Sequence, residues 1–309
     1  MRISRRGLLL GTFGSLCAQE PRFSTGVDVV TLLATVHDRD GNIVKNLSRE
    51  DFVLQDNGKT QNITYFSQES DLPLTIGLLV DTSRSQRQVL EPERRASYQF
   101  LDQVLREDKD RAFLARFDTE VVVEQSLTSS RKELSDALAN LQIPSRAATQ
   151  IYEAVRSTSE HQMRPLNGRK AFILLSDGVS VRDGCSPSTA IEYAQRADAL
   201  IFAILFAGSG HGGRGGRVIP AVNVRVGARV LGRNVMKRLA GETGGAYFEV
   251  GPARPIEQIY AEIEETLRNQ YSIGYTPKTP GNSGEYRKIK LTSKKRGLIV
   301  QTRDGYYAK

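Results

Sequence analysis

The stretch Leu74-Thr-Ile-Gly-Leu-Leu-Val-Asp81-Thr-Ser83-Arg-Ser85 decides how the rest of the chain is read. Residues 74–80 form a near-continuous apolar run without a charge, the pattern of a strand covered on both faces. Such strands belong to mostly parallel sheets with helices on either side. The run ends in Asp-x-Ser-x-Ser. Three oxygen-bearing side chains at alternating positions, on a turn at the carboxyl end of a strand, can point at one spot. By itself the pentapeptide is a weak signal, because serine-rich turns are common and Ser83 or Ser85 is also placed to cap the next helix.

Outward from Leu74 the text alternates between helix-like and strand-like segments. Helices are expected over residues 91–106, 130–141, 150–160, 186–197, 234–241 and 255–269, and Ser130 with Glu133 has the spacing of a capping box. Strands are expected over residues 112–117, 121–125, 170–175, 199–206 and 246–250, the first two joined by the turn Asp118-Thr119. Strands alternating with crossover helices imply an α/β fold with a doubly wound, mostly parallel sheet. Residues 208–232 break the rhythm. Their glycine-rich start, Gly208-Ser-Gly-His-Gly-Gly-Arg-Gly-Gly216, lacks the Gly-Lys-Ser/Thr ending of a phosphate loop, and the whole stretch is expected to be a long loop.

The text on either side of this block is β-like. Residues 27–36, 52–55 and 63–66 precede it, with turns at Asp40-Gly41 and Asp56-Asn-Gly58; residues 271–275, 287–291 and 298–302 follow it. Neither flank is long enough to bury a core alone. The expectation is therefore one small β-sandwich built from both flanks, with the α/β domain inserted into it. The divisions are a leader at 1–18, an N-terminal β segment at 24–70, the α/β domain at 71–269, and a C-terminal β segment at 270–309.

Two features strengthen the reading of Asp81. The expected strand over residues 170–175 runs into Ser176-Asp177-Gly178, which puts a second carboxylate at a strand end. Thr149 stands just before the helix expected from residue 150, adding a hydroxyl. The plainer readings are a helix N-cap for Thr149 and a turn residue for Asp177. A hard divalent cation prefers oxygen ligands, often a few protein groups completed by water.

In this order the residues resemble the von Willebrand factor type A (VWA) family with its metal-ion-dependent adhesion site. The family pattern is Asp-x-Ser-x-Ser after the first strand, a threonine before a middle helix, and an aspartate in Asp-Gly after the fourth strand. Asp81, Ser83, Ser85, Thr149 and Asp177 match it. Leu239-Ala-Gly-Glu-Thr-Gly-Gly-Ala-Tyr-Phe248 resembles the family's closing helix and strand, and the β flanks with Asp304-Gly-Tyr-Tyr307 resemble bacterial, acidobacterial-type VWA-related proteins. One departure is Arg146-Ala-Ala before Thr149, where many relatives carry glycines. The resemblance implies strand order 3-2-1-4-5-6 and the five residues as metal ligands. Magnesium is the expected cation, and manganese and calcium are accepted by the same set. The implied partner is a protein that offers an acidic side chain to the metal.

Bulk composition agrees with a globular protein and excludes other classes. Of 309 residues, 39% are hydrophobic and 25% charged. The net charge of +8 includes Arg2, Arg5 and Arg6 near the start, and the remaining excess is spread along the chain. A nucleic-acid partner would need a basic stripe with interleaved aromatics, which is absent. Arg2, Arg5 and Arg6 followed by apolar residues 7–16 read as a secretory leader of twin-arginine type; the apolar run is too short to span a bilayer. An exported protein, periplasmic or secreted, is therefore expected. Lipidation at Cys17 fits less well, because Leu16 is not the small residue a lipobox needs. His37, His161 and His211 are scattered, so neither a zinc site nor a base for Cys185 is indicated. A binding module is thus the leading expectation and a structural envelope protein the alternative. A metal-assisted hydrolase would have to use Glu153 as its base.

Overall fold

The computed structural model describes residues 29–68, 72–144, 148–181, 183–206 and 221–308. The leader at 1–18, Arg146 and Ala147, and the glycine-rich start at 208–216 lie outside the described residues. At the centre is a six-stranded sheet of β5 (Leu74–Asp81), β6 (Arg111–Phe117), β7 (Val121–Thr128), β8 (Arg169–Ser176), β9 (Ala199–Phe206) and β10 (Tyr247–Val250). Its order is β10-β9-β8-β5-β6-β7, parallel throughout except for the β6–β7 hairpin. Every residue of β5, β8 and β9 is buried, which is why their sequences are runs rather than alternations.

Helices cover both faces. Against one face pack α1 (Leu90–Val104), α2 (Arg131–Asn140) and α6 (Ile256–Arg268), in a core with Ile76, Leu78, Leu114 and Ile173. Against the other lie α3 (Ile151–Thr158), α4 (Pro187–Arg196) and α5 (Ala221–Thr243), in a core with Leu79, Phe113, Phe172 and Ile201. Winding reverses between β5 and β8. In open α/β sheets a crevice forms outside the carboxyl ends of the strands at such a reversal.

The flanking segments make two antiparallel four-stranded sheets. One runs β13 (Ile299–Gln301), β1 (Val30–His37), β11 (Tyr271–Tyr275), β4 (Tyr65–Gln68). The other runs β14 (Gly305–Tyr307), β12 (Tyr286–Ser293), β2 (Phe52–Asp56), β3 (Lys59–Gln61). Both interleave strands from the two ends of the chain. Leu32, Phe52 and Leu54 share one core with Tyr271, Ile273, Tyr275 and Tyr306. The expected split sandwich is the arrangement found.

Two local expectations are corrected. Residues 208–232 are not a loop throughout, because α5 begins at Ala221 and absorbs the last twelve. No proline follows Pro220 within the helix, and its interior glycines cost only about 1 kcal/mol each relative to alanine. Ser130 does cap α2, accepting the Glu133 N–H at 3.2 Å, but Glu133 does not return the bond. The Ser130 N–H donates to Thr128 Oγ1 instead, and Glu133 takes Gln125 Nε2. Among the described residues no helix is long and apolar enough to cross a membrane.

Candidate metal site

Asp81 is the last residue of β5 and has no exposed surface. Its Oδ1 accepts the Ser83 N–H at 2.8 Å, and its Oδ2 accepts the Ser176 hydroxyl at 2.6 Å. The first bond closes the tight turn that alternating Asp-x-Ser spacing allows. The second crosses from β5 to β8, so Asp81 is held by both strands that flank the crevice. Ser176 Oγ also accepts the Gly178 N–H at 3.1 Å, tying the Asp177 turn to Asp81. Gly178 takes φ +76°, a left-handed conformation that favours glycine.

The turn after Asp81 is anchored on its other side. Thr82 donates its N–H to the Phe117 carbonyl at 3.0 Å and its hydroxyl to Asp118 Oδ2 at 2.9 Å. Burial pushes the Asp118 carboxyl up. The hydroxyls of Thr119 and Thr82 and the charge of Arg116 outweigh that and bring it below the ordinary range. Asp118 is therefore a fixed anionic post beneath the turn. Ser83 is buried, Ser85 is exposed, and their hydroxyls lie 3.0 Å apart.

Ser83 starts the short 3-10 helix Arg84–Gln88, yet its side chain makes no capping bond. Thr149 does not cap α3 either. Asp183 does so from thirty residues away, accepting the N–H groups of Tyr152 and Glu153 at 2.7 and 2.8 Å. Thr149 is buried and joins the site through its backbone. It pairs with Val181, and its carbonyl accepts the Ser180 hydroxyl at 3.0 Å, on the loop that follows Asp177. The turn reading holds for one oxygen of Asp177, since Oδ1 accepts the Val179 N–H at 3.0 Å.

Among the described residues, the charges shown to act on Asp81 and Glu93 are acidic. Burial first, then the Asp177 charge, push Asp81 from 3.8 to about 7, against the opposing bonds from Ser176 and Ser83. A second acid, Glu93 of α1, is buried at 2% exposure and pushed well above its usual value by burial and by the charges of Asp81 and Asp177. Both Glu93 oxygens lack a hydrogen-bond partner among the described residues. Among the described residues, carboxylate and hydroxyl donors, a buried carboxyl without a partner and the mutual repulsion of Asp81, Asp177 and Glu93 together fit a hard divalent cation. Among the described residues no three His, Cys, Asp or Glu side chains converge closely enough to grip a metal by themselves. The fit therefore rests on two carboxylates with hydroxyls and water.

The sequence reading missed Ser176, Glu93 and Asp183. Ser176 stood in the quoted Ser-Asp-Gly and had a detectable signal, a hydroxyl at the same strand end. Glu93 and Asp183 had none. Elsewhere, Glu153 is held bidentate by Arg156 at 2.6 and 2.8 Å, not presented as a base. Burial, with Asp183 and Glu153 nearby, raises the Cys185 thiol to about 11, so it stays protonated near neutral pH.

No curated protein sequence matches the chain. Among solved structures, one similar chain is the conserved hypothetical protein BatB from Bacteroides thetaiotaomicron: 17% identity, 64% of this chain and 100% of that one, TM-score 0.47. Proximal thread matrix protein 1 from the mussel byssus, in a structure described as having a zinc-occupied MIDAS motif, shares 12% identity over 69% of this chain and 49% of its own, TM-score 0.50. The vWF domain of the type V pili tip protein Mfa5 from Porphyromonas gingivalis shares 13% identity over 63% and 95%, TM-score 0.48. At these identities the likeness is one of fold. The von Willebrand factor type A domain model matches residues 75–261, from β5, which carries Asp81, into α6, and the chain belongs to that family.

Proposed function

We propose that this protein is an exported, metal-dependent interaction module. In this reading Asp81, Ser83, Ser85, Thr149 and Asp177 hold one divalent cation, magnesium first, at the carboxyl edge of the sheet. An acidic side chain of a protein partner completes its coordination. The observation that carries the reading is the state of Asp81: wholly buried, braced by Ser83 and Ser176, and repelled by the charge of Asp177. A buried carboxylate so placed is costly unless a cation compensates it.

Each residue has a definable task. Ser176 and the Ser83 N–H fix the Asp81 carboxylate, which leaves the Ser83 and Ser85 hydroxyls side by side as neutral donors. Thr149, carried on the loop joined to Val181, brings a further hydroxyl from the α3 side. When bound, the cation supplies positive charge at a water-accessible rim, which attracts a carboxylate. Two carboxylates and neutral hydroxyls would leave a divalent ion able to accept one more oxygen. The Arg156 clamp on Glu153 supports binding over hydrolysis. Export follows from the basic and apolar pattern of residues 2–16.

The test is capture of partners from the native cell envelope with magnesium or with chelator, read by mass spectrometry, with Asp81→Ala as control. Partners retained only with magnesium and only by the unaltered protein support the reading. Equal capture under chelator and by Asp81→Ala would refute it.

A further inference from the structure

Glu93 stands in the first turn of α1, on the face that also buries Ser97 and Phe100. A buried carboxyl ordinarily gains a hydrogen-bond donor or a basic neighbour, because leaving it bare costs free energy. Glu93 has neither among the described residues: both oxygens are enclosed and unpartnered. Among the described residues, the charged groups acting on it are Asp81 and Asp177. Towards α6, the Tyr260 hydroxyl is near enough for the Glu93 charge to act on it. That hydroxyl is 2.8 Å from Ser97 Oγ, and the ring stacks on Phe100 with centroids 4.5 Å apart. Glu93 is thus set between a tightly packed aromatic layer and the two aspartates. An apolar residue would fill this place at lower cost, so the acid answers to something positive on the aspartate side.

We infer that Glu93 is a positioning residue of the metal site, a third carboxylate that accepts hydrogen bonds from water on the cation and raises the site's affinity for it. The inference rests on the metal reading of Asp81 and Asp177. Action through water follows from the geometry, since among the described residues no three acids converge closely enough to ligate one ion directly. Magnesium retains several waters when protein-bound, and their protons need acceptors. Partners that orient such ligands typically change metal affinity 10- to 100-fold when replaced.

The test is magnesium titration calorimetry on the full chain, comparing the unaltered protein with Glu93→Gln and Glu93→Asp, alongside melting of each in chelator. Glu93→Gln should bind magnesium about tenfold more weakly or worse. Its metal-free melting temperature should stay level or rise, because the orphaned carboxyl is gone. Glu93→Asp, which keeps the charge, should recover part of the affinity. A purely structural residue would show the reverse pattern: lower metal-free stability and unchanged affinity. Affinity in Glu93→Gln within about twofold of the unaltered protein overturns the inference while leaving the metal site standing. Failure of Glu93→Gln to fold in chelator also overturns it. If the unaltered protein binds no magnesium, manganese or calcium, the metal reading itself falls and this inference with it.

Discussion

Arg287 Nε donates to both carboxylate oxygens of Asp56, at 3.0 and 3.2 Å, across 231 positions of sequence. Asp56 is wholly buried and Arg287 is 5% exposed. The hydroxyls of Tyr275 and Tyr306 donate to Asp56 Oδ2 at 2.9 and 3.1 Å. One acid from the N-terminal segment therefore collects three donors from the C-terminal segment, inside the sandwich. Compared with an apolar core such a network adds little net stability, but it is complete only when both ends of the chain are docked in this register.

Asp56→Ala should therefore cost about 3–5 kcal/mol, the usual penalty for removing one partner of a buried ion pair. The guanidinium and two phenols would be left buried without their acceptor. Urea unfolding checks this, the midpoint falling while the slope holds. A loss under about 1 kcal/mol would show that the network relaxes to water.

Removing everything after Asn269 deletes β11, which lies between β1 and β4, and β12, which lies between β14 and β2. The N-terminal strands would lose Tyr271, Ile273 and Tyr275 from their core. Limited proteolysis with mass mapping should then find rapid cleavage within residues 29–68. The α/β domain, with a core on each face of its sheet, should resist and keep its response to magnesium. Continued protection of residues 29–68 would make that segment a domain of its own and void the proposed division.

Gly232 and Gly227 of α5 make a matched pair. A Cβ on Gly232 would clash with the Gly178 carbonyl oxygen, in the turn that follows Asp177, whereas a Cβ on Gly227 would meet nothing within 4 Å. Gly232→Ala should lower stability by about 1–3 kcal/mol and weaken magnesium binding by displacing the Asp177 turn. Gly227→Ala should raise stability by up to about 1 kcal/mol through helix propensity. Thermal melting of both variants reads the opposite signs, and the same sign in both would refute the contact.

The sheet was legible because β5, β8 and β9 are buried on both faces and their residues say so. Asp81 and Asp177 were legible because each closes such a run, next to serine or glycine. The start of α5 was hidden by its glycines, which read as breakers until the close approach to Gly178 is seen. Glu93 was hidden for a different reason. An acid in the first helical turn is ordinarily an exposed partner of the helix dipole, and only the packing of α1 against α6 shows that this one is enclosed. Asp183 caps α3 from a distance that no local pattern encodes.

Stability without metal should fall as pH rises through 7, and magnesium should reverse the trend. Asp81 is raised from 3.8 to about 7, chiefly by burial and then by Asp177, and Glu93 is raised for the same kind of reason. Between about pH 4 and about pH 7 the folded protein holds a proton on Asp81 that the unfolded chain has released. Its contribution is thus fully present below the unfolded value and lost as pH climbs through the folded one. The slope approaches about 1.4 kcal/mol per pH unit for each such group. Magnesium requires the ionised carboxylate, so protons compete with it and its stabilising effect should grow over the same range. Melting from about pH 5.5 to about pH 8, in chelator and in magnesium, gives both curves. The chelated protein should melt lower at the alkaline end, and the gain from magnesium should be largest there. Asp81→Asn, which carries no titratable group at that position, should lessen both trends and leave the part that belongs to Glu93. A pH slope in Asp81→Asn equal to that of the unaltered protein would assign the proton to another group and refute the raised Asp81 carboxyl.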